Sequence, residues 1–512
     1  MAPNFARNTL LGFISGAAIT FSGFVGSAIA ARLLGPDDFG VVAYVVWCVT
    51  ISVAVANMGS DVVQQRFIPN LRAAGKSDQV DGLVGAIVRV SLAAAVVVAV
   101  VLFAYLNGPG TGALSAGSPH SVVFVIVVAL VWFFCWRMGD LYLFNLRGEQ
   151  RFDTLARIST VSALMRVVTT VLGAWLFGIP GALAGYIAAT VLPASRLLPM
   201  LRLKPKVDRS LQREIFGFAM MSWTIGVIGN LLFGRTQIVF LEHYTDIGTV
   251  GLFAVALTVA EMAAQLPPLL LSALLPRFSE QSGRGAHDDM KSLYRTMTAF
   301  IAMVMLPFCL GLAAITPVLV PLIFGRDFAD AAAVASILLI AIAINSLGGA
   351  NLSLILSKGK NSILWISNAV GLVGVIGLGF LLIPQYGLMG AAWSRAIIQV
   401  LVILIEIVCA AIQLGFSMPY RALGAIGLAA AAQGAVAYAI VLNIGGAVSL
   451  VIAAPAAVLT YLTVVRLLRV IPLVDPELPS RLVSHTPGRF RPLALRIMRL
   501  LAPPTSGRAE QD

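Results

Sequence analysis

The feature that most limits what this chain can fold into is a succession of fourteen apolar stretches, each long enough to cross a bilayer. They lie near residues 9–34, 40–60, 83–106, 121–145, 155–177, 180–200, 214–240, 248–275, 293–315, 329–357, 361–383, 386–414, 420–442 and 447–468. Roughly 20 apolar residues wound as a helix span the hydrocarbon core. Charged residues are 11% of the chain and hydrophobic ones 59%, whereas a soluble domain carries roughly a quarter charged residues. The sequence therefore predicts an all-α integral membrane protein without a soluble domain of ordinary size. Its opening segment, Arg7 and then "LLGFISGAAITFSGFVGSAIAA", has the small-residue ending of a signal peptide. At about 24 residues the run exceeds a signal h-region and suffices to span, so it reads as an uncleaved first helix.

The formal charge of +12 would suit a nucleic-acid partner if the cations clustered on one face. They follow topology instead. With a cytoplasmic N-terminus, the connections after even-numbered spans should collect Lys and Arg. They hold Arg66, Arg72 and Lys76; Arg147 and Arg151; Arg202, Lys204, Lys206, Arg209 and Arg213; Arg277, Arg284 and Lys291; Lys358 and Lys360; and Arg421. Among the outer connections only the fifth carries a cation, Arg326. Both termini are thus expected in the cytoplasm, and no nucleic-acid partner is expected. The segment 471–512 is Pro-rich and basic, with "RFRPLALRIMRLL". It reads either as a short helix on anionic lipid or as a disordered tail.

The halves repeat. "DDFGVVAYVV" aligns with "TVGLFAVAL" at an offset of 211, pairing Gly40 with Gly251 and Ala43 with Ala254. The same offset pairs Arg66 with Arg277, Phe67 with Phe278, Arg147 with Lys358 and Gly148 with Gly359. After a two-residue slip, "GIPGA" at 178–182 meets "GLMGA" at 387–391. Six spans separate the equivalents, so the repeats are parallel, related by an axis along the membrane normal. The organisation expected is a six-helix bundle over 1–200, its repeat over 201–415, two extra helices over 416–470 and the tail. Two such bundles around a central cavity suit alternating access.

Ionisable residues inside spans are functional candidates, because a central cation costs about 2.5–3.5 kcal/mol even on the lenient insertion scale. Arg166 stands in "SALMRVVTTVL", where Ser159, Ser162 and Thr169 share its helix face by steps of three and four. It reads as a counter-charge for an anion or as the partner of Asp140 or Glu261. Arg137 and Asp140, in "CWRMGD", are spaced to pair; a structural anchor and a head-group contact are the two readings of Arg137. Arg32 and Arg235 near outer span ends, and Arg395 in the outer half of the twelfth span, either snorkel or meet substrate. Glu261, mid-span, and Asp140 are the carboxyls that could couple transport to an ion. Pro267 and Pro268 should break or kink the eighth span.

No Walker A loop or HExxH is present, and the four histidines fall in loops or the tail. No cofactor is expected, and the chain reads as no enzyme. Cys48, Cys135, Cys309 and Cys409 lie in apolar stretches and read as buried structural thiols.

"ARLLGPDDFGVVAY", "QQRFIP", "NLRGEQRF", "YTDIGTVGLFAVA" and the G-x-x-G-A turns resemble the polysaccharide-transporter family. These are Wzx-type flippases of the multidrug/oligosaccharidyl-lipid/polysaccharide exporter superfamily. The resemblance covers residues 1–470 and implies a flippase for undecaprenyl-pyrophosphate-linked oligosaccharide. Such a protein moves its substrate from the inner to the outer leaflet of the bacterial cytoplasmic membrane, for O-antigen, capsule or exopolysaccharide. It also implies a cationic cavity, with a polysaccharide polymerase and a chain-length regulator as candidate partners. A peptidoglycan lipid-precursor flippase and a cation-coupled multidrug exporter are the alternatives within the superfamily. The absence of Asp and Glu from residues 9–34 speaks against the exporter. From another class, an integral-membrane enzyme of glycan assembly would need hydrophilic catalytic machinery that the sequence lacks.

Overall fold

The computed structural model describes residues 2–117, 121–205, 207–271, 274–283 and 287–470; the basic segment 471–512 lies outside them. The elements are helices: α1 (Ala2–Ala56), α2 (Ser60–Ala73), α3 (Ser77–Asn107), α4 (Thr111–Ser115), α5 (Val122–Gly148) and α6 (Phe152–Ser195). There follow α7 (Arg209–Phe233), α8 (Gln237–Tyr244), α9 (Ile247–Ala264), α10 (Leu266–Leu271), α11 (Leu274–Gly283) and α12 (His287–Phe324). The chain continues through α13 (Ala331–Ser346), α14 (Gly349–Ser357), α15 (Asn361–Leu414), α16 (Tyr420–Ile444) and α17 (Gly446–Leu467).

Among the described residues, 11 helical segments are long and apolar enough to cross a membrane. Fourteen spans are expected from the sequence, and the three longest segments cover six of those apolar runs. Three segments, Ser15–Ala56, Phe152–Ser195 and Ser362–Leu414, run to 42, 44 and 53 residues, each the length of two traverses. Each is broken by one non-helical glycine: Gly35, Gly178 or Gly387. Gly178 (φ 60°, ψ −133°) and Gly387 (φ 50°, ψ −122°) hold nearly the same backbone conformation, one that a Cβ disfavours. They are the repeat-equivalent turns of "GIPGA" and "GLMGA". The break expected at Pro267–Pro268 falls just ahead of them, at Gln265 between α9 and α10, because a proline supplies no amide to the turn before it.

Two compact units make up the fold. The first comprises Met1–Thr258, Ile323–Phe328 and Leu372–Ser394; the second comprises Val259–Leu322, Ala329–Gly371 and Arg395–Asp512. In the first, Val63, Phe67 and Leu71 of α2 step by four along one face and pack with Val80, Val84 and Ile87 of α3. Further along α3, Val97, Val100 and Val101 are exposed, as befits a helix against lipid rather than water. In the second unit, small residues bring helices close: Ala299 and Ala302 of α12 meet Ile426 and Ala429 of α16 and Val465 of α17. Two side chains fasten that hairpin to α12. Gln433 Nε2 donates to the Pro307 carbonyl at 2.9 Å, and the Tyr461 hydroxyl donates to the Met303 carbonyl at 2.9 Å. All four cysteines are free thiols, Cys48 and Cys309 buried, Cys135 and Cys409 half-buried.

Candidate functional site

Arg166 lies where α6 runs beside the first limb of α1. The two helices pair in register and in the same direction. The Ser15 hydroxyl donates to Ser159 Oγ at 2.7 Å. A Cβ on Gly23 would come within 3.1 Å of Arg166 Nη1, and one on Gly26 within 3.8 Å of Thr170 Oγ1. Glycine on α1 thus makes room for the guanidinium. Beyond Gly178 the second limb of α6 folds back, and Gly173 and Gly181 meet backbone to backbone. This turn carries Tyr186 under the cation, with Arg166 Cζ 4.5 Å from the ring centroid, a favourable cation–π geometry. Trp132 of α5 also packs against Tyr186, centroids 4.7 Å apart, and Trp136 stacks on Trp132 at 5.4 Å.

Hydroxyls border the arginine. Ser162, one turn before, is 7% exposed, and Thr170, one turn after, is 1% exposed; neither side-chain oxygen has a hydrogen-bond partner. The Thr169 hydroxyl, which the helical pattern also placed on this face, donates to the carbonyl of Met165 on its own helix. Arg166 itself is half-buried and, among the described residues of the first unit, forms no ion pair; Asp140 is not its partner. A cation with open donors and unsatisfied hydroxyls beside it can accept an anion carrying several oxygens.

Arg137 has a different setting. It is 1% exposed, and its donors serve the junction of α1 and α2. They reach the carbonyls of Ala56 and Asn57 at 3.3 and 3.4 Å, Ser60 Oγ at 2.6 Å and Ser91 Oγ of α3 at 3.0 Å. These contacts take the place of the ion pair with Asp140 that the spacing suggested. Arg137→Met should therefore lower the amount of folded protein and its melting temperature, because hydrogen bonds to a charged group contribute about 1.5–3 kcal/mol each. An unchanged melting curve in detergent would remove Arg137 from the framework.

The remaining sequence candidates are placed as follows. Arg32 is exposed on α1, three residues before Gly35, and Arg235 is half-buried in the break between α7 and α8. Asp140 is half-buried on α5. These belong to the first unit, whereas Glu261, half-buried on α9, and Arg395, buried on α15, belong to the second. Glu406, missed in the sequence, is a buried carboxyl on α15; its signal was one acidic residue in "LVILIEIVCA".

The repeat leaves a second signature within the first unit. A Cβ on Gly40 would overlap the carbonyl of Ile247, and a Cβ on Gly251 would overlap the carbonyl of Pro36. Pro36 and Ile247, like Gly40 and Gly251, stand 211 residues apart in the chain. The contact is therefore reciprocal, as at a two-fold axis. Asp246 fixes the start of α9 there: its carboxylate accepts from the Thr249 amide at 2.8 Å and the Thr249 hydroxyl at 2.9 Å. Partial desolvation raises the Asp246 pKa, but hydrogen bonds from Thr249 and from the backbone of Asp246 and Gly248 together outweigh it and hold the group below its ordinary value.

Apolar spanning helices and a duplicated pattern of breaks together define a polytopic membrane protein. The fold agrees. The lipid II flippase MurJ in an inward closed conformation superposes with TM-score 0.69 at 12% identity, covering 89% of this chain and 97% of that one. An inward-facing multidrug resistance MATE family transporter of the MOP superfamily gives 0.64 at 14% identity, covering 78% and 94%. The family model described as polysaccharide biosynthesis protein matches residues 29–333, more than half of the chain, and the protein belongs to that family. Teichuronic acid biosynthesis protein TuaB of Bacillus subtilis (strain 168) is 21% identical over 335 residues, covering 63% of this chain and 68% of that protein. Succinoglycan biosynthesis transport protein ExoT of Rhizobium meliloti (strain 1021) is 25% identical over 318 residues, covering 60% of each.

Proposed function

We propose that the protein flips a lipid-linked oligosaccharide, carried on a pyrophosphate, from the inner to the outer leaflet of the bacterial cytoplasmic membrane. It would do so by alternating access and without bond chemistry. The observation that carries this reading is Arg166, a half-buried cation with no carboxylate partner among the described residues and buried, unpartnered hydroxyls one turn to either side. A pyrophosphate cannot cross hydrocarbon uncompensated. Arginine offers a fork of donors that matches phosphate oxygens and stays ionised when partly desolvated. The names of the relatives, one a teichuronic acid biosynthesis protein and one a succinoglycan transport protein, fit a glycan cargo. In this reading a polysaccharide polymerase and a chain-length regulator act on the product, and both termini are cytoplasmic. Glu261 and Asp140 are the coupling carboxyls the sequence supplies.

Inverted membrane vesicles test the cargo. With the protein present, externally supplied undecaprenyl-pyrophosphate oligosaccharide should become protected from added glycosidase; protection at the protein-free level would reject the reading. The same vesicles offered a lipid-linked peptidoglycan precursor separate the runner-up. In intact cells, single cysteines replacing Ser77, Ser210 or Ser282 should resist an impermeant thiol reagent. Labelling of any one would break the assigned topology.

A further inference from the structure

Helix α15 buries a carboxyl group that the headgroup site does not use. Its limbs on either side of Gly387 bring Ser367 and Glu406 together inside the second unit. Ser367 is fully buried and Glu406 is 8% exposed, with Ser367 Oγ 3.1 Å from Glu406 Oε1. The same hydroxyl lies 3.1 Å from the carbonyl oxygen of Leu364. A serine hydroxyl owns one proton, so it cannot donate to both. With Glu406 ionised, the Ser367 proton is the one donor to the carboxylate among the described residues, since the Leu364 carbonyl is already served by the amide four residues on within α15. With Glu406 protonated, the acid donates to Ser367 Oγ and Ser367 donates onward to Leu364. Protonation lets Glu406 keep a hydrogen bond with Ser367 while shedding a buried charge, and a buried carboxylate without a counter-charge is otherwise costly.

Among the described residues no counter-charge pairs with the carboxyl. Ile403, one turn before Glu406, lies against Gly348 at the start of α14. Arg395 stands three turns earlier on the same limb, and Lys358 and Lys360 lie in the turn ahead of α15. Two polar side chains on these elements are buried and unpartnered instead: both amide atoms of Asn351 on α14, and Oε1 of Gln399 on α15. Buried polar atoms left open in this way are where ordered waters dock, and water is what brings a proton to a buried acid.

We infer that Glu406 is a proton-binding site of the second unit, with Ser367 as its hydrogen-bonding partner, and that loading and unloading it biases the packing of the two α15 limbs. That this proton drives transport rests on the proposed function; that the site binds a proton does not. Infrared spectra of the full-length protein in liposomes, recorded across the pH range, separate the two. The wild-type protein should show a carboxylic-acid carbonyl band that disappears at alkaline pH. Glu406→Gln, which keeps a donor toward Ser367, should lack that band at an unchanged melting temperature. Ser367→Ala should keep the band and shift its frequency. A band that persists in Glu406→Gln, or that Ser367→Ala leaves unmoved, overturns the site. In proteoliposomes, an imposed pH gradient should speed wild-type flipping of the glycan-lipid at least about fivefold and leave Glu406→Gln unaffected. If the band behaves as expected but neither protein moves glycan-lipid, the cargo assignment fails and the proton site stands. If Glu406→Gln still responds to the gradient, the driving role of this proton is overturned.

Discussion

Arg166→Ala should insert and fold like the wild type and yet lose glycan-lipid transport by about a hundredfold or more. A guanidinium that meets two phosphate oxygens makes two charge-assisted hydrogen bonds of about 1.5–3 kcal/mol each, and about 1.4 kcal/mol is a factor of ten. Stability should move the other way. The substitution takes a charge out of a helix interface that carries no counter-ion among the described residues, so the melting temperature should hold or rise, as when a strained functional site is relieved. Arg166→Lys should keep part of the activity, because the charge survives while the fork is lost. Vesicle transport and a detergent melting curve measured on the same preparations decide the matter. Wild-type transport by Arg166→Ala, or a melting temperature that falls with activity, would make the arginine a structural residue.

Gly40→Ala and Gly251→Ala should each destabilise the protein, although a single methyl is all that is added. In both cases the new Cβ falls on a carbonyl of the opposing helix, so a backbone must shift, and overpacking costs typically 1–3 kcal/mol. The reciprocal geometry makes a sharper statement. Once one methyl has pushed the helices apart, the second finds room, so the double variant should cost clearly less than the two singles together. Additive losses, or no loss from either single change, would mean that the crossing is loose. Because residues that match at the 211-residue offset meet here backbone to backbone, transport should fall along with stability.

Much of the architecture was legible because it is written in local chemistry. Apolar runs give the spans, glycines at fixed offsets give the repeat, and lysine and arginine give the expected sidedness. What the runs could not show was how neighbouring limbs join: at Gly178 and Gly387 one limb passes into the next through a single non-helical glycine, with no intervening loop. The setting of Arg166 was half legible. Ser159 and Ser162 follow from the helical period, but whether Thr169 or Thr170 joins them depends on a partner helix, and Tyr186 arrives only through the fold-back. Arg137 was misleading for the same reason. An Asp three residues away is visible in the sequence, whereas the carbonyls of Ala56 and Asn57 come from a helix end some eighty residues earlier. Glu406 was passed over because nothing near it in sequence announces Ser367.

The turn at Gly178 also bears on how the chain enters the membrane. Between the limbs of α6 the sequence runs "WLFGIPGALAG", with no charged or strongly polar residue to hold in water while the second limb is being synthesised. A translocating pore that releases segments sideways into lipid would let the limbs go as one hairpin. Arg166 would then leave the pore with the Tyr186 ring already beneath it, and the cost of placing a cation at mid-membrane would be borne by two limbs rather than by one helix. The arginine that would serve the cargo is therefore best tolerated during biogenesis when the tight turn beside it is kept. Lengthening that turn with polar residues should burden insertion before it ever touched transport.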